Sequence, residues 1–495
     1  MERQDILALV PSLQKICLRK FTSELIAQKD FINSAVVEFD PEDRMTAYCN
    51  GKEVWDSNIS NHAKEKVSSF ILPALFKEEL IKTIDEMVPE MEKWRLYHGR
   101  FLKNLSFGGY CLLNKLRWTC IATIDYKKTA ELLVKDEEIF LSYRYKLACL
   151  YCLCDDIATL WNMLSPQSQR YIYRNVDFIS EDIITIVWSY ILQGEETRLF
   201  RKIEREFPAA VSVNHYAFEY AARNGYKIAA QHFFQRLTAA EKRLYLVEAA
   251  QLTAKARSDT DRRSCYPCFI RETYSELFVY LLSQMNEAEK IEVFRTSAYE
   301  VLKCFLDWPW KDVFLEVAKD VWDFLPKKHF YSLLLHLFTS NCLATNRHRE
   351  IFRAFWRQSP DVYKKFAIEN MFTDCRLLTF LCGLKDEEST RLVFESASRQ
   401  DKERVINSYI GLSVSYMFAK NKRWDCFHLL IDMCDITNIV AETAKVGYFI
   451  YSKFYYYDSQ LGFLSTPDED PVMKTIFHIL DAIVERNKRK HLKQE

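Results

Sequence analysis

The cysteines are the residues in this sequence best suited to chemistry, because two groups of them have the spacing of metal ligands. Cys149, Cys152 and Cys154 lie close together, and Cys265 and Cys268 form a second pair. Four thiolates can hold a zinc ion in a tetrahedron. The two groups are far apart in the chain, and Cys149 and Cys152 fall at the core positions of a predicted helix. We therefore interpret Cys149 and Cys152 as core residues, and we interpret the polar stretch from Ser258 to Cys268, which contains the second pair, as an exposed loop. We predict no metal ion and no other cofactor.

Other catalytic patterns are weak. Cys265-Tyr-Pro-Cys268 is similar to a thioredoxin-type redox pair, but such a pair needs a helix that follows a strand, and no strand is predicted before it. The ten histidines form no His-Glu-x-x-His motif, and the sequence contains neither a Gly-x-Ser-x-Gly elbow nor a phosphate-binding Gly-x-x-x-x-Gly-Lys loop. We predict that the chain is not an enzyme. An enzyme of unrecognised, metal-dependent type is the alternative.

A short stretch near the N-terminus has the spacing of a docking helix. In PSLQKICLRKF, residues Leu13, Cys17 and Phe21 are four residues apart, which places them on one helix face. The stretch resembles the box by which substrate receptors of cullin-type ubiquitin ligases dock the adaptor elongin C. The resemblance implies that Leu13 fills a pocket while the small Cys17 permits close approach. Phe21 departs from the family, where this position is usually a smaller aliphatic residue, and an ordinary core helix is the alternative.

A second stretch, LPALFKEEL, begins at Leu72. It is similar to the Leu-Pro motif by which such receptors contact the cullin, but it lies farther downstream than is usual in that family. The resemblance of both stretches together implies a substrate receptor that docks elongin C near its N-terminus and holds substrate elsewhere.

Composition restricts the class of protein. The 495 residues include 68 basic and 68 acidic residues, and this balance does not favour a nucleic-acid binder. The N-terminus does not look like a signal peptide, and charges interrupt the apolar runs before membrane-spanning length. We expect a cytoplasmic or nuclear protein with reduced cysteines and no membrane partner. Low glycine and proline contents, 10 and 12 residues, favour helices.

The region after residue 135 contains a recurring pattern. KLACLYCLCDDIATLWNML, from Lys146, aligns without a gap on EYAARNGYKIAAQHFFQRL, from Glu219, so that Leu160-Trp161 falls on Phe233-Phe234 and Arg170 on Arg243. A short polar motif, in which a small polar residue is followed two or three residues later by charged ones, recurs as LTAAEK, MNEAEK and SASRQDKER. The spacing averages about 39 residues, which is typical of stacked helix pairs. Small residues in one helix and large ones in the next predict that each pair buries its apolar face against its neighbours. The large residues predicted for the core include Phe233, Phe278, Phe355 and Trp356.

The clearest unit, FEYAARNGYKIAAQHFF (Phe218 to Phe234), resembles the two helices of an ankyrin repeat. The Thr-Pro-Leu-His and Gly-Ala-Asp signatures of that family are absent. The whole array is similar to the degenerate ankyrin-like repeats that have expanded in some arthropods and large DNA viruses. The resemblance implies an α-solenoid that binds a protein partner, and a generic α-solenoid is the alternative.

We thus predict an all-α fold, with a mostly helical N-terminal region at 1–135, a repeat array at 136–458, and a linker with a capping helix and basic tail at 459–495. A short β-hairpin is predicted at 36–55. The predicted function is a non-enzymatic scaffold for an unknown protein partner. Arg223, Asn224 and Tyr226, near the turn of the clearest repeat, are predicted to lie at the surface and contact that partner.

Overall fold

The computed structural model describes residues 13–28, 61–99, 112–119, 123–174, 183–260, 269–307, 310–339, 346–434, 436–458 and 471–491. These residues are helical almost throughout. The exceptions include a single antiparallel bridge between Trp118 and Ile124, and no strand occurs within the ranges just given. The predicted all-α class is confirmed for this part of the chain. The predicted β-hairpin at 36–55 lies outside the described residues.

The helices are short, and connections of a few residues join many of them. In chain order they are α1 (Leu13–Ile26), α2 (residues 61–69), α3 (Ala74–Gly99), α4 (Tyr126–Leu133), α5 (Leu141–Leu150), α6 (Cys154–Met163), α7 (Pro166–Arg174), α8 (Ile183–Leu192), α9 (Glu196–Glu206), α10 (Val213–Arg223), α11 (Lys227–Arg236), α12 (Ala239–Thr260), α13 (Phe269–Ser283), α14 (Glu287–Phe305), α15 (Phe314–Val321), α16 (Lys327–Thr339), α17 (Asn346–Gln358), α18 (Asp361–Met371), α19 (Arg376–Gly383), α20 (Glu387–Glu395), α21 (Arg399–Asn407), α22 (Tyr409–Lys420), α23 (Trp424–Asp432), α24 (Asn438–Asp458) and α25 (Pro471–His491). Two 3₁₀ turns, Leu113–Lys115 and Trp310–Val313, complete the set.

The chain divides into two compact units, Met1–Phe314 and Leu315–Glu495. In the first unit, the leading helices of successive pairs contact one another, α5 with α8 and α8 with α10, and α11 contacts α13. In the second unit α17 contacts α20, and α19 contacts α23. Large side chains predicted for the core are buried between these helices, among them Phe233, Phe278, Phe355 and Trp356.

One turn geometry recurs in five helix pairs. In α5–α6, α8–α9, α10–α11, α19–α20 and α22–α23, a three-residue connection has its middle residue at positive φ: Cys152 (49°), Gly194 (65°), Gly225 (70°), Lys385 (53°) and Lys422 (58°). The gapless sequence alignment places Cys152 of the α5–α6 turn on Gly225 of the α10–α11 turn. The same left-handed residue at the same place in each connection makes these pairs copies of one local structure.

The hydrogen bonds of these turns explain why the helices end where they do. The amide after the left-handed residue reaches back into the preceding helix, from Leu153 N to Ala148 O at 3.0 Å and from Tyr226 N to Ala221 O at 2.9 Å. This is the Schellman arrangement, which satisfies carbonyls left open at a helix C-terminus. Gly225 also needs its missing side chain, because a Cβ there would lie 3.0 Å from Thr273 Oγ1.

The short polar motif has a structural role, because each of its three copies forms a capping box at the start of a helix. Thr238 Oγ1 accepts a hydrogen bond from Glu241 N at 3.2 Å while Glu241 Oε2 accepts one from Thr238 N at 2.7 Å. Asn286 with Glu289, and Ser398 with Asp401, form the same reciprocal pair. Such pairs satisfy amides that have no partner inside the helix.

Two sequence interpretations need adjustment. The polar stretch from Ser258 to Cys268 is predicted to be an exposed loop, but α12 continues to Thr260. Ser258 is buried, and its hydroxyl accepts a hydrogen bond from Lys303 Nζ at 3.1 Å. Residues 261–268 lie outside the described part. At the C-terminus, a helix occupies Pro471–His491 within the predicted segment 459–495, so it continues into the basic residues of the predicted tail.

Candidate protein-binding surface

Helix α1 has one buried face and one exposed apolar face. Leu18, Thr22, Leu25 and Ile26 are buried. The opposite face carries the three residues of the predicted docking motif: Leu13 is 77% exposed, Phe21 is 45% exposed, and Cys17 is exposed. The four-residue spacing puts the three side chains on one helix face, and in the structure that face is the exposed one while the opposite face packs in the core.

A second exposed apolar run lies at the start of α3. Ile71, Leu72, Leu75 and Phe76 are all exposed, and Ile71 and Leu75 remain 103% and 76% accessible. The helix starts after residues 71–73, which are not helical, and the carbonyl of Pro73 accepts the hydrogen bond from Lys77 N at 3.1 Å. Because proline lacks an amide hydrogen, it is well suited to a helix start. This start fixes the direction in which the neighbouring leucines point.

The two exposed runs lie beside each other because α1 packs on α3. Gln14 Nε2 donates to Glu79 Oε2 at 3.1 Å, one turn beyond Leu75. The rings of Phe21 and Phe70 meet edge to face, 5.9 Å apart. We call the exposed set the α1–α3 surface; it comprises Leu13, Cys17, Phe21, Ile71, Leu72, Leu75 and Phe76.

The apolar character of this surface is not offset by its few polar neighbours. Lys20 and Glu24 form an exposed ion pair at 3.1 Å, and Lys77 Nζ donates to Ser68 O at 2.8 Å. Such exposed pairs contribute little to stability and leave the apolar side chains accessible. Contiguous exposed apolar patches on a folded protein commonly mark an interaction site.

The C-terminal half of α3 anchors this surface to the helix pairs of the first unit. Trp94, Tyr97 and His98 are buried there. His98 Nδ1 lies 2.8 Å from Trp94 O, and its Nε2 lies 2.7 Å from the hydroxyl of Tyr151, in the α5–α6 turn. Because burial keeps this imidazole neutral, Nδ1 donates to the Trp94 carbonyl and Nε2 accepts from the Tyr151 hydroxyl. Burial lowers the pKa of His98 to about 3.

Tyr97 extends this contact to the clearest repeat. Its ring lies 6.3 Å from that of Tyr226 and 6.1 Å from that of Tyr126, both at steep angles. Burial raises the pKa of the Tyr97 phenol well above its ordinary value. Helix α3 therefore packs its aromatic side chains on the α5–α6 turn and on the α10–α11 turn. In KWRLYH, the rings of Trp94, Tyr97 and His98 are three and four residues apart and so share one helix face. This spacing was the sequence signal for the contact.

The three residues predicted for the array surface are placed differently from one another. The expectation of surface position is wrong for Tyr226, which is 8% exposed because α3 covers it. Arg223 has a 58% exposed side chain, paired with Glu219 at 2.5 Å on the same helix. Asn224 Nδ2 donates to Tyr220 O at 2.8 Å. The structure therefore does not bring these residues together as one exposed cluster.

Two cysteines of the first group lie in the core, and the third, Cys154, is exposed. Cys149 and Cys152 are buried, and burial raises the pKa of Cys152 to about 12, which keeps it a thiol. Cys265 and Cys268 lie outside the described residues. Among those described, no group of three histidine, cysteine or carboxylate side chains is arranged to hold a metal ion. In the basic tail, Arg486 donates to Asp432 at 2.8 Å.

Comparison with known proteins adds no family. No model of a known protein family matches the sequence, and no curated protein is significantly similar to it. No helix in the described ranges is long and apolar enough to cross a membrane. Function is therefore inferred from the chain's own surfaces.

Proposed function

We propose that this chain is a non-enzymatic scaffold that binds a protein partner through the α1–α3 surface. The observation that carries the proposal is the exposure of Leu13 and Phe21 on α1 and of Leu75 and Phe76 on α3, two helices that pack against each other. Exposed apolar side chains of this kind gain free energy when a partner removes them from water, and such patches commonly mark protein interfaces. A partner that presents a groove or an apolar helix face fits two neighbouring helices of this kind.

The ankyrin-like α-solenoid belongs to the same proposal. It is supported, within each unit, by the left-handed residue that recurs between paired helices and by the contacts between successive pairs. The buried small residues Ala221 and Ala222 allow the close helix approach that such repeats need. In this proposal the repeats hold the α1–α3 surface rigid, since α3 is anchored through His98 to the Tyr151 turn.

The scaffold proposal predicts a strong effect of a charge at position 13. A partner captured on the immobilised full chain should, once purified, bind Leu13→Asp at least about thirtyfold more weakly than wild type, because the substitution buries an unpaired carboxylate in an apolar interface. Ile439→Asp is the matched control, because Ile439 is 78% exposed but lies on α24. The measurement is the dissociation constant of the partner for wild type, for Leu13→Asp and for Ile439→Asp. Equal weakening by the two substitutions would contradict a role for the α1–α3 surface.

A second candidate function is that of a substrate receptor for a cullin-type ubiquitin ligase. The specific observation in its favour is that Leu13, Cys17 and Phe21 share one exposed face, as docking of elongin C requires. In LPALFKEEL, the exposed Leu75 lies on the adjoining helix α3 and the exposed Leu72 lies just before it, where a cullin could reach them. In this candidate the repeats hold the substrate.

Titration of purified elongin C tests the second candidate separately. Wild type should bind it, and Leu13→Ala should weaken binding by about thirtyfold, because a side chain seated in a central pocket of an interface typically contributes about 2 kcal/mol. Ile439→Ala should leave the affinity unchanged. Absence of binding to the wild-type chain rules out the receptor function and leaves the scaffold proposal standing.

A further inference from the structure

A cleft of about 390 Å³ lies between two successive helix junctions of the first unit. The end of α11 and the start of α12 form one wall, and the end of α13 and the start of α14 form the other. These junctions contain two of the recurring capping boxes, LTAAEK and MNEAEK. The cleft is therefore a product of neighbouring helix pairs, on a surface remote in sequence from α1.

The floor of the cleft is apolar. Phe234 and Leu246 are 5% and 4% exposed, and Tyr280 is half-buried beside them. The rings of Phe234 and Tyr280 meet edge to face at 6.4 Å and 88°. This rigid aromatic corner offers contact to one or two apolar side chains.

The α12 wall carries the positive charge of the cleft. Lys242 Nζ donates to Gln235 O at 3.1 Å and lies over the Phe234 ring, 5.5 Å from its centre. Arg243 is exposed, and within the described residues its guanidinium has no carboxylate partner. The hydroxyl of Tyr280 also has no hydrogen-bond partner within those ranges.

The acids of the opposite wall are already engaged. Glu289 Oε2 accepts from Asn286 N at 2.8 Å in the capping box. Glu287, at the same helix start, pairs with Lys290 at 2.9 Å. Glu289 keeps its charge, but the cleft lining carries two cations, Lys242 and Arg243, against this one carboxylate and is therefore net positive.

We infer that this cleft binds an acidic segment of a protein partner, in which an aspartate or glutamate stands next to an apolar residue. The carboxylate pairs with Arg243 and Lys242, and the apolar side chain contacts Phe234, Leu246 and Tyr280. Charge-assisted hydrogen bonds to arginine give both strength and direction. The inference rests on the proposed scaffold function in one respect, namely that the ligand is part of a protein, and it adds a second site with its own chemistry.

The cleft volume lies at the small end of the range for small-molecule sites. It fits a pair of adjacent side chains of an extended segment that continues over the surface, and the exposed Gln235 and Gln284 at its edge can hydrogen-bond the backbone of such a segment.

A library of short random peptides displayed on phage, selected on the immobilised full chain, tests the inference. The enriched sequences should share an acidic residue beside an apolar one. The consensus, made as a capped synthetic peptide, should bind Arg243→Glu at least about tenfold more weakly than wild type in fluorescence anisotropy. Arg170→Glu is the matched control, because Arg170 occupies the aligned position of another repeat, is exposed and does not line this cleft.

Three outcomes would overturn the inference: no enriched sequence, a consensus without acidic residues, or an affinity that Arg243→Glu and Arg170→Glu change equally. Thermal unfolding of both variants verifies that they are folded. The Leu13→Asp variant should bind this peptide as wild type does. Leu13→Asp should weaken binding of the captured partner only if the α1–α3 surface binds that partner. The scaffold proposal and the cleft inference can therefore fail independently of each other.

Discussion

Replacement of Asp307 by alanine is expected to lower the free energy of unfolding by about 3–5 kcal/mol, because it removes one partner of a buried ion pair. Arg257 is fully buried and donates to both carboxylate oxygens of Asp307, from Nε at 2.7 Å and from Nη2 at 2.6 Å. Ser275 Oγ donates to the same carboxylate at 2.6 Å. These contacts join α12 and α13 to the end of α14. Without Asp307, the Arg257 charge is left in the core without its carboxylate.

Urea denaturation measures this loss. Glu287→Ala is the control on α14, since Glu287 makes an exposed ion pair with Lys290 that should contribute less than about 1 kcal/mol. The double replacement Arg257→Met with Asp307→Leu should recover most of the lost stability, because it removes both charges together. A cost of Asp307→Ala no larger than that of Glu287→Ala would contradict the buried network.

Stability should also fall as the pH is lowered through the range where free histidine becomes charged. Burial lowers the pKa of His98 to about 3, against 6.5 for the ordinary side chain. Below pH 6.5 the unfolded chain takes up a proton that folded His98 does not. His98 therefore contributes stability that is complete above pH 6.5 and is lost, at about 1.4 kcal/mol per pH unit, as the pH falls towards 3. The expected loss is about 2 kcal/mol by pH 5.

The measurement is urea denaturation of wild type and His98→Gln between pH 7.5 and 5, a range in which about two kcal/mol is readily resolved. The variant should be less stable at pH 7.5, since it loses the bond from Tyr151, and its stability should depend less on pH. Some dependence should remain, because burial also lowers the pKa of His215 and His232. His478→Gln, at an exposed position on α25, is the control. Identical pH slopes for wild type and His98→Gln would show that His98 is not buried in its neutral form.

The local features of the fold could be predicted from the sequence because they are encoded within a few residues. The alignment of Cys152 on Gly225 matched two turns that share a left-handed residue. The short polar motif at Thr238 and at Asn286 predicted two helix starts, since a capping box needs residues only three positions apart. Apolar periodicity identified Phe233 and Phe278 as core residues for the same reason.

The placement of functional residues depended on contacts between distant parts of the chain. Tyr226 looked exposed from its repeat alone, and it is buried because α3, far upstream, packs across it. The spacing of Leu13, Cys17 and Phe21 predicted a common face. Spacing alone does not say whether that face or the face with Leu18 and Leu25 points to the core. The acidic-peptide cleft was not predicted, since Phe234 and Tyr280 come together only when two helix pairs pack.

Hydrogen exchange of the chain, free and bound to its captured partner, tests most directly whether the α1–α3 surface is the binding site. Binding should slow exchange of the backbone amides of residues 13–26 and 74–80, since an interface reduces local opening and solvent access of the helices it covers. Helix α24, which carries the equally exposed Ile439, should exchange at the same rate in both states. Protection of α24 or of other helices, with residues 13–26 and 74–80 unchanged, would contradict the proposed scaffold function at this surface.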